Sequence, residues 1–486
     1  MMIYLSGRFV NLHRCGILLP EGLWYDADME NKRKAYKNVN ILFTVLMANM
    51  GLVFIRLGEG SLWQARAGVF YAVLLAVAFV IWLILKIRSS AGSTLRLRML
   101  NVGDEELLAF LVALPVTVAV AAVLFPGTGC SLFRPFHLTG PFILFAVIAV
   151  LVLAAVFWDG IIRVYLTSVQ LGIRHRVWGI VLGWVFPLNL WMLTKIRRIV
   201  RDEVKDEESL IARDAARTAQ QICKTRYPLL LVHGVFFRDI KGLNYWGRIP
   251  KELITNGAVV YYGNQQSAAS CLDCGEELAA RIRGVLAETG AEKVNIIAHS
   301  KGGLDSRAAI THAGMAPYVA SLTTINTPHR GCIFAEYLLE HIPEKVRDQI
   351  AETYNKAARV LGDKEPDFLA AVNDLTASAC AAFNEKTPDA EGVLYESVMS
   401  YAKKAFDSRF PLNMTHKLVK YFDGPNDGLV AVEAARWGSA FTLLEPPKGR
   451  GISHGDVIDL NRENIDGFDV REFYVQLVSS LRERGY

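Results

Sequence analysis

The 486 residues carry 53 Lys and Arg against 48 Asp and Glu, a net charge of +5, and 52% of them are hydrophobic against 21% charged. This composition excludes a disordered or collagen-like chain and argues against an entirely soluble protein. So weak a net charge gives no indication of nucleic-acid binding. The long apolar runs fall in the first 194 residues. We therefore expect a membrane part followed by a soluble part.

The first part is predicted to be a basic tail, residues 1–38, and a membrane domain, residues 39–194, without a cleavable signal peptide. Four segments have the roughly 20 apolar residues that cross a bilayer, and a fifth, shorter one could span, re-enter or lie at the interface. No buried series of acids or lysines is expected, so the domain is predicted to be an anchor and not a transporter. The four segments are 39–57, 67–87, 107–126 and 141–159, and the fifth is 177–193.

Loop charges favour a cytoplasmic N-terminus, because Lys and Arg accumulate on that side. If 177–193 does not span, everything after it is cytoplasmic too; if it spans, the remainder is exported. The side of the soluble part is thus left open, with the charges favouring the cytoplasm. Residues 195–226 alternate in charge and are predicted to form a solvated connecting helix.

The soluble part, residues 227–486, begins where short β-branched or apolar runs alternate with amphipathic stretches. Tyr227–Val232, Ala258–Tyr262 and Lys293–Ala298 are the first three runs. This rhythm is typical of a mostly parallel sheet covered by helices on both faces, and it predicts an α/β domain. Cys271 and Cys274 form one isolated C-x-x-C, which we interpret as two ordinary thiols in preference to a disulfide or metal site.

A candidate nucleophile follows the third run, in Ala298-His299-Ser300-Lys301-Gly302. A serine becomes a nucleophile when a sharp strand-to-helix turn holds it out of the sheet, and small neighbours let that turn form. In α/β domains that hold a serine on such a strand-to-helix turn, the acid and then the base come later in the chain. Asp427 and His454 lie in suitable loops, with Asp423 and Asp456 as competing acids. The sequence therefore predicts a Ser300–Asp427–His454 triad.

Such a triad also needs backbone N–H groups aimed at the developing oxyanion. The main chains of Lys301, directly after the nucleophile, and Val235, after the first strand, are the candidate donors. His233, which ends that strand, is expected to brace the oxyanion loop and not to act as a base.

Six segments occur here in the order seen in the bacterial triacylglycerol lipase family of α/β-hydrolases, and the chain from about 227 to 486 resembles that family. The segments are YPLLLVHGVFF, YWGRIPKEL, AHSKGGLDSR, INTPHRG, NDGLV and SHGDVIDL. The resemblance implies an α/β-hydrolase fold, the same triad and the same oxyanion donors. It also makes His329, in T-P-H-R-G, a shaping residue. The insertion at about 332–396, with Val346, Ile350 and Tyr354 on one helix face, would be a cap or lid; the alternative is an ordinary packed subdomain.

Some members of the family bind a structural calcium near the histidine loop. Asp456 and Asp407 are the candidate ligands, but Leu460 stands where a further oxygen would be expected. No organic cofactor is implied, and calcium is left open.

The sequence thus predicts a membrane-anchored serine ester hydrolase that acts on lipid or acyl esters through an acyl-enzyme. Acyl transfer or amide hydrolysis by the same triad is the competing enzymatic hypothesis. The non-enzymatic hypothesis is a membrane scaffold or transport protein with a hydrolase-like binding module. The acyl-chain length, the head group and the oligomeric state are left open.

Overall fold

The computed structural model describes residues 2–5, 8–11, 37–52, scattered positions from 70 to 86, 92–124, 140–235, 244–410, 412–446 and 449–486. The chain divides into two compact units. The helical unit is Ile17–Arg213, and the hydrolase unit combines Met1–Gly16 with Asp214–Tyr486.

The described part of the helical unit is entirely α-helical apart from its connections. Its helices are α1 (Lys37–Ala48), α2 (Leu95–Leu124), α3 (Gly140–Thr167), α4 (Gly172–Leu182) and α5 (Leu188–Arg217). Within the described ranges, two stretches are long and apolar enough to cross a membrane, Leu95–Val123 and Phe142–Thr167. They overlap the predicted segments 107–126 and 141–159.

The other predicted spans fare differently. Segment 39–57 holds α1, which is shorter. More than half of segment 67–87 is described, at scattered positions that are all helical, and the tail 1–38 lies largely outside the described residues. Segment 177–193 is not one helix, because α4 ends at Leu182 and α5 begins only at Leu188. Gly183 and Pro187 lie in this break, and proline cannot donate the hydrogen bond that would continue a helix. The four or five predicted spans are therefore not shown.

Two expectations about charge in this region are wrong. Asp104, Glu105 and Glu106 are buried, because α2 begins at Leu95, well before the predicted start at residue 107, and brings these acids inside the unit. The segment 195–226 is mostly helical, as predicted, but it is not solvated on all sides. Most of it belongs to α5, and its apolar side chains at helical spacing are buried in the core of the helical unit: Ile196, Val200 and Val204.

The hydrolase unit is built on a six-stranded sheet in the order β4-β3-β5-β6-β7-β8, all of whose neighbouring strands are parallel. A separate antiparallel hairpin pairs β1 (Met2–Leu5) with β2 (Arg8–Asn11). The sheet strands are β3 (Leu229–Val232), β4 (Val260–Tyr262), β5 (Val294–His299), β6 (Val319–Ile325), β7 (Leu394–Ser400) and β8 (Ala440–Leu444).

Both faces of this sheet are buried, as the continuous apolar strands predict. In β3, Leu229 and Leu231 belong to one core cluster while Leu230 and Val232 belong to another, because successive side chains point to opposite faces. The helices of the unit are α6 (Ile249–Thr255), α7 (Cys271–Thr289), α8 (Lys301–Thr311), α13 (Leu412–Phe422) and α14 (Val470–Glu483), besides four in the insertion described next. The α/β-hydrolase fold with a mostly parallel sheet is confirmed.

The insertion between β6 and β7 is helical, as expected. It contains α9 (Ile333–His341), α10 (Glu344–Val360), α11 (Phe368–Asn373) and α12 (Ala377–Lys386). The predicted range 332–396 runs slightly too far, since β7 begins at Leu394. Val346, Ile350 and Tyr354 on α10 are exposed, and the Tyr354 ring stacks on Phe368 of α11. An exposed apolar stripe of this kind is compatible with a cap that covers a substrate site.

Candidate active site

Ser300 lies on the sharp turn between β5 and α8 that its sequence context predicts. Its backbone has φ +54°, which L residues rarely adopt. The turn is fixed by two hydrogen bonds, from Ser300 N to Ile325 O at 2.9 Å and from Thr327 Oγ1 to Ser300 O at 2.8 Å. A Cβ atom at Gly302 would lie 2.3 Å from His233 O, so only glycine fits there. These hydrogen bonds and the close packing at Gly302 thus hold the strained backbone of Ser300 in place.

The predicted acid and base are brought together beside this turn. His454 Nδ1 lies 2.7 Å from Asp427 Oδ2, and the His454 backbone N–H donates to Asp427 O at 2.9 Å. Asp427 is completely buried, and its Oδ1 accepts from the backbone N–H groups of Leu429 and Val430. The His454 ring centre lies 4.4 Å from that of His299, the residue before Ser300.

A residue that the sequence analysis missed completes the support of the acid. Asn326, at the end of β6, donates from Nδ2 to Asp427 Oδ2 and to Ser400 Oγ, both at 2.6 Å. Its Oδ1 accepts from the Ser400 backbone N–H at 2.9 Å. Its φ of +48° marks a second special backbone position after a strand. Asn326 comes just before T-P-H-R-G, so the signal was a polar residue at the carboxyl end of a central strand.

The two candidate oxyanion donors flank the nucleophile. Lys301 opens α8, and the first N–H groups of a helix have no carbonyl partner within that helix. Val235 follows Gly234, at which a Cβ would come within 2.8 Å of the Ser300 Cβ, so this loop passes directly beside the nucleophile. His233 braces the loop as expected, since its ring contacts Gly234 O at 2.8 Å and Gln265 O at 3.0 Å.

Two buried aromatic residues tie the loop to the nucleophile turn. Tyr245 OH lies 2.6 Å from His299 Nδ1 and accepts from the Gly234 N–H at 3.0 Å. Burial, together with the neighbouring His454, holds the pKa of His299 well below its ordinary value. His299 is therefore neutral at pH 7 and places no positive charge against the His454 ring.

The Lys301 side chain forms an ion pair inside the domain. Its Nζ lies 2.6 Å from Asp305 Oδ1 and 3.4 Å from Cys274 Sγ, and all three side chains are buried. Burial alone would lower the pKa of Lys301, but Asp305 together with Cys271 and Cys274 raises that pKa well above its ordinary value. Cys271 and Cys274 are free thiols, and burial raises the pKa of both. They are not reactive nucleophiles.

The remaining candidates lie elsewhere. His329 Nε2 contacts Thr324 Oγ1 at 2.9 Å and its ring stacks on Trp437, in agreement with a shaping role. Asp423 accepts from the Ile333 and Phe334 N–H groups at the start of α9, so it is not brought to His454.

The calcium candidates are held by an arginine. Arg450 Nη1 donates to Asp456 Oδ2 at 2.5 Å and to Asp407 O at 2.8 Å. Leu460 is partly exposed and supplies no charge. Within the described residues no group of three His, Cys, Asp or Glu could hold a metal ion. Because a guanidinium already lies between Asp407 and Asp456, these residues do not fit a calcium ion.

The fold and this site define an α/β-hydrolase with a strand-to-helix serine turn and a buried Asp–His pair. No family model matches the chain. The triacylglycerol lipase of Vibrio cholerae is 34% identical over 247 residues, which are 46% of this chain and 78% of that protein. The Burkholderia plantarii triacylglycerol lipase is 37% identical over 195 residues, 37% of this chain and 54% of that protein.

On this similarity the chain belongs to the triacylglycerol lipase family. The chain spans about half the length of the Burkholderia lipase. A crystal structure of a Bacillus licheniformis lipase covers 52% of this chain and 91% of its own, at 24% identity and a TM-score of 0.39.

Proposed function

We propose that the protein is a serine carboxylic-ester hydrolase of the lipase or esterase type, held at a membrane by its helical unit. The observation that carries the proposal is the buried Asp427 carboxylate 2.7 Å from His454 Nδ1, with that ring against the residue preceding the strained Ser300. Aspartate, imidazole and serine in this relation are the constellation of acyl-transfer hydrolases.

The reaction proceeds in two halves. His454 takes the proton of Ser300 Oγ as that oxygen attacks the ester carbonyl, and the proton then passes to the leaving alcohol as its C–O bond breaks. Water, deprotonated by His454, attacks the resulting acyl-serine, releases the carboxylic acid and restores the serine. Asp427 keeps the imidazole oriented and stabilises its charged form. The Lys301 and Val235 main-chain N–H groups hold the oxyanion in both halves.

A lipid or long-chain acyl ester is the substrate class that we favour. Two observations support it: the apolar helices Leu95–Val123 and Phe142–Thr167 and the exposed apolar stripe on α10. A site beside a bilayer meets esters of lipids at high local concentration. The same triad would serve acyl transfer to an acceptor other than water, so the product decides between the two reactions.

The first experiment measures hydrolysis of p-nitrophenyl esters, from acetate to palmitate, by the detergent-purified chain. Ser300→Ala is the test variant and Ser480→Ala, on the exposed side of α14, is its control. We expect turnover and fluorophosphonate labelling in the parent and the control, with both lost in Ser300→Ala. Equal turnover in Ser300→Ala and the parent would reject the proposal. The chain-length optimum separates an esterase from a lipase.

Membrane anchoring needs its own experiment. We expect the protein to stay with membranes after an alkaline carbonate wash, and release by that wash would reject an integral anchor. The side of the membrane on which the hydrolase unit lies can be determined by labelling a thiol. Cys271 cannot serve for this, because it is buried like the other cysteines that the structure describes. Lys364→Cys provides an exposed thiol on the hydrolase unit. If the unit is cytoplasmic, an impermeant maleimide will label it only after the cells are opened.

A further inference from the structure

One arginine in the hydrolase unit is surrounded by oxygen atoms. The Arg450 guanidinium donates to Asp456 Oδ2 at 2.5 Å and Oδ1 at 3.0 Å, to Asp407 O at 2.8 Å and to Gly451 O at 3.4 Å. Glu463 Oε2 lies 3.5 Å from Nη2. The cation thus meets five oxygens from four residues, carboxylate and carbonyl alike, which is the kind of oxygen set that hard cations bind.

These contacts join two segments that are distant in the chain. Asp407 ends a short turn that follows β7, while Gly451, Ile452 and Ser453 lead directly to His454. The Gly451 N–H donates to Asp407 Oδ2 and the Ile452 N–H to Tyr401 O. A Cβ at Gly451 would lie only 2.4 Å from Tyr401 O, so the two segments are in close contact.

The same carboxylate also holds the residue next to the base. Asp456 Oδ2 accepts from the Ser453 N–H at 2.9 Å and from Ser453 Oγ at 2.6 Å. Asp456 therefore receives hydrogen bonds from Arg450 on one side and from the histidine loop on the other. Burial alone would lower the pKa of Arg450, but Asp456 together with Glu463 and Asp407 raises that pKa above its ordinary value. The guanidinium is a permanent charge.

We propose that Arg450 takes the place of a structural metal ion, clamps the Asp407 turn to the histidine loop, and so positions His454 for catalysis without calcium. A planar guanidinium satisfies a carboxylate with two parallel hydrogen bonds, which orients it as well as neutralising it. Arg450 is a positioning residue, since it acts on His454 through Asp456. This inference rests on the proposed ester hydrolysis.

The test compares kcat and KM for p-nitrophenyl butyrate in the parent, Arg450→Lys, Arg450→Gln and Arg450→Ser, each with EDTA and with added calcium. The matched control is Arg484→Gln, because Arg484 also forms a two-pronged pair, with Glu396 at 2.6 and 2.9 Å, elsewhere in the unit. Thermal unfolding of each protein with and without calcium gives a readout independent of activity. All kinetics are measured well below the unfolding midpoints.

We expect EDTA and calcium to leave the parent's kcat and unfolding midpoint unchanged. Arg450→Gln should lose about 10- to 100-fold in kcat with little change in KM, as is usual when the support of a catalytic group is removed. Arg450→Lys, which keeps the charge, should retain more kcat, and Arg484→Gln should keep the parent's value. Partial recovery of Arg450→Ser by calcium would give further support, since the smaller side chain frees the oxygens for the ion.

Three results would overturn the inference: inactivation of the parent by EDTA, full kcat in Arg450→Gln, or equal losses in Arg450→Gln and Arg484→Gln. None of these resembles failure of the proposed function. If the proposed ester hydrolysis itself failed, the parent would show no turnover above that of Ser300→Ala, whichever residue stood at position 450.

Discussion

Each unit contains a buried aspartate, and these two acids, Asp104 and Asp427, are stabilised differently. In the helical unit, Asp104 Oδ1 lies 2.9 Å from Arg197 Nε, so the acid is paired with a permanent cation. In the hydrolase unit, Asp427 accepts from backbone and amide N–H groups and from the His454 imidazole. The Asp104–Arg197 ion pair has no net charge, and it joins α2 to α5. A carboxylate held by neutral donors keeps its charge for the one group that acquires a proton during the reaction, His454.

The largest effect should follow from removing that charge while keeping its shape. Asp427→Asn replaces an acceptor of the His454 Nδ1 proton with an amide, so the imidazole loses its orientation. We expect kcat for p-nitrophenyl butyrate to fall about 10³- to 10⁴-fold while the protein stays folded. Asp423→Asn is the control, because Asp423 accepts from two backbone N–H groups of α9 and is not at the site. Equal losses in both variants would contradict this assignment of the acid.

Removing the charge of Asp104, the paired acid of the helical unit, should lower the stability of the protein and leave catalysis unchanged. Asp104→Asn leaves the buried Arg197 guanidinium without its charge partner, which costs about 3 kcal/mol of stability. The loss is measured as a lower unfolding midpoint in detergent. Asp202→Asn on the exposed side of α5 should leave the midpoint unchanged. The kcat of ester hydrolysis should not change in either variant; a kcat loss in Asp104→Asn alone would break the comparison.

The site was more predictable from sequence than the helical unit, for a physical reason. Ser300 is specified locally, by a strand, a turn of small residues and a helix, and Asp427 and His454 follow in a known order. The burial of Asp104 depends instead on which helices are its neighbours, because only the pairing with Arg197 makes it tolerable. Local pattern contains no such information.

The same limit applies to the support of the site. Asn326 contacts Ser400 and Asp427, residues far along the chain that become neighbours only because β7 pairs with β6. The Lys301–Asp305 pair had a visible i, i+4 spacing, but that spacing is typical of a solvated helix face and not of a buried pair. The span predicted at 67–87 stays a prediction, because its described helical positions are interrupted by residues outside the described set.

Asn326 gives an intermediate effect that sharpens the comparison. Asn326→Ala removes one donor to Asp427 but leaves the two backbone donors and His454. We expect kcat to fall about 10- to 100-fold with KM nearly unchanged, since the acid stays in place but is less firmly oriented. Asn384→Ala also removes hydrogen bonds, to His329 and Arg307, away from the acid, and should keep the parent's kcat. A change in KM alone would argue against a positioning role.

The smallest effect concerns a carboxylate that has an acidic neighbour. Glu252 is buried beside Asp214, and burial and that neighbour raise its pKa to about 8, against an ordinary value of 4.5. A raised folded-state pKa contributes stability that is full below pH 4.5 and is lost as the pH rises through 8. Glu252→Gln should therefore raise the unfolding midpoint by a few degrees at pH 9 and change it little at pH 4.5.

The control for that comparison is Glu292→Gln, which alters an exposed carboxylate of the same unit. Its unfolding midpoint should follow the parent's at both pH values. If Glu252→Gln gained nothing at pH 9, the nearby Arg217 and Arg471 would be sufficient to keep the glutamate charged at no cost. Glu252 would then belong with Asp104, as an acid stabilised by cations, and Asp427 would stand alone as the buried acid whose charge is kept for the reaction.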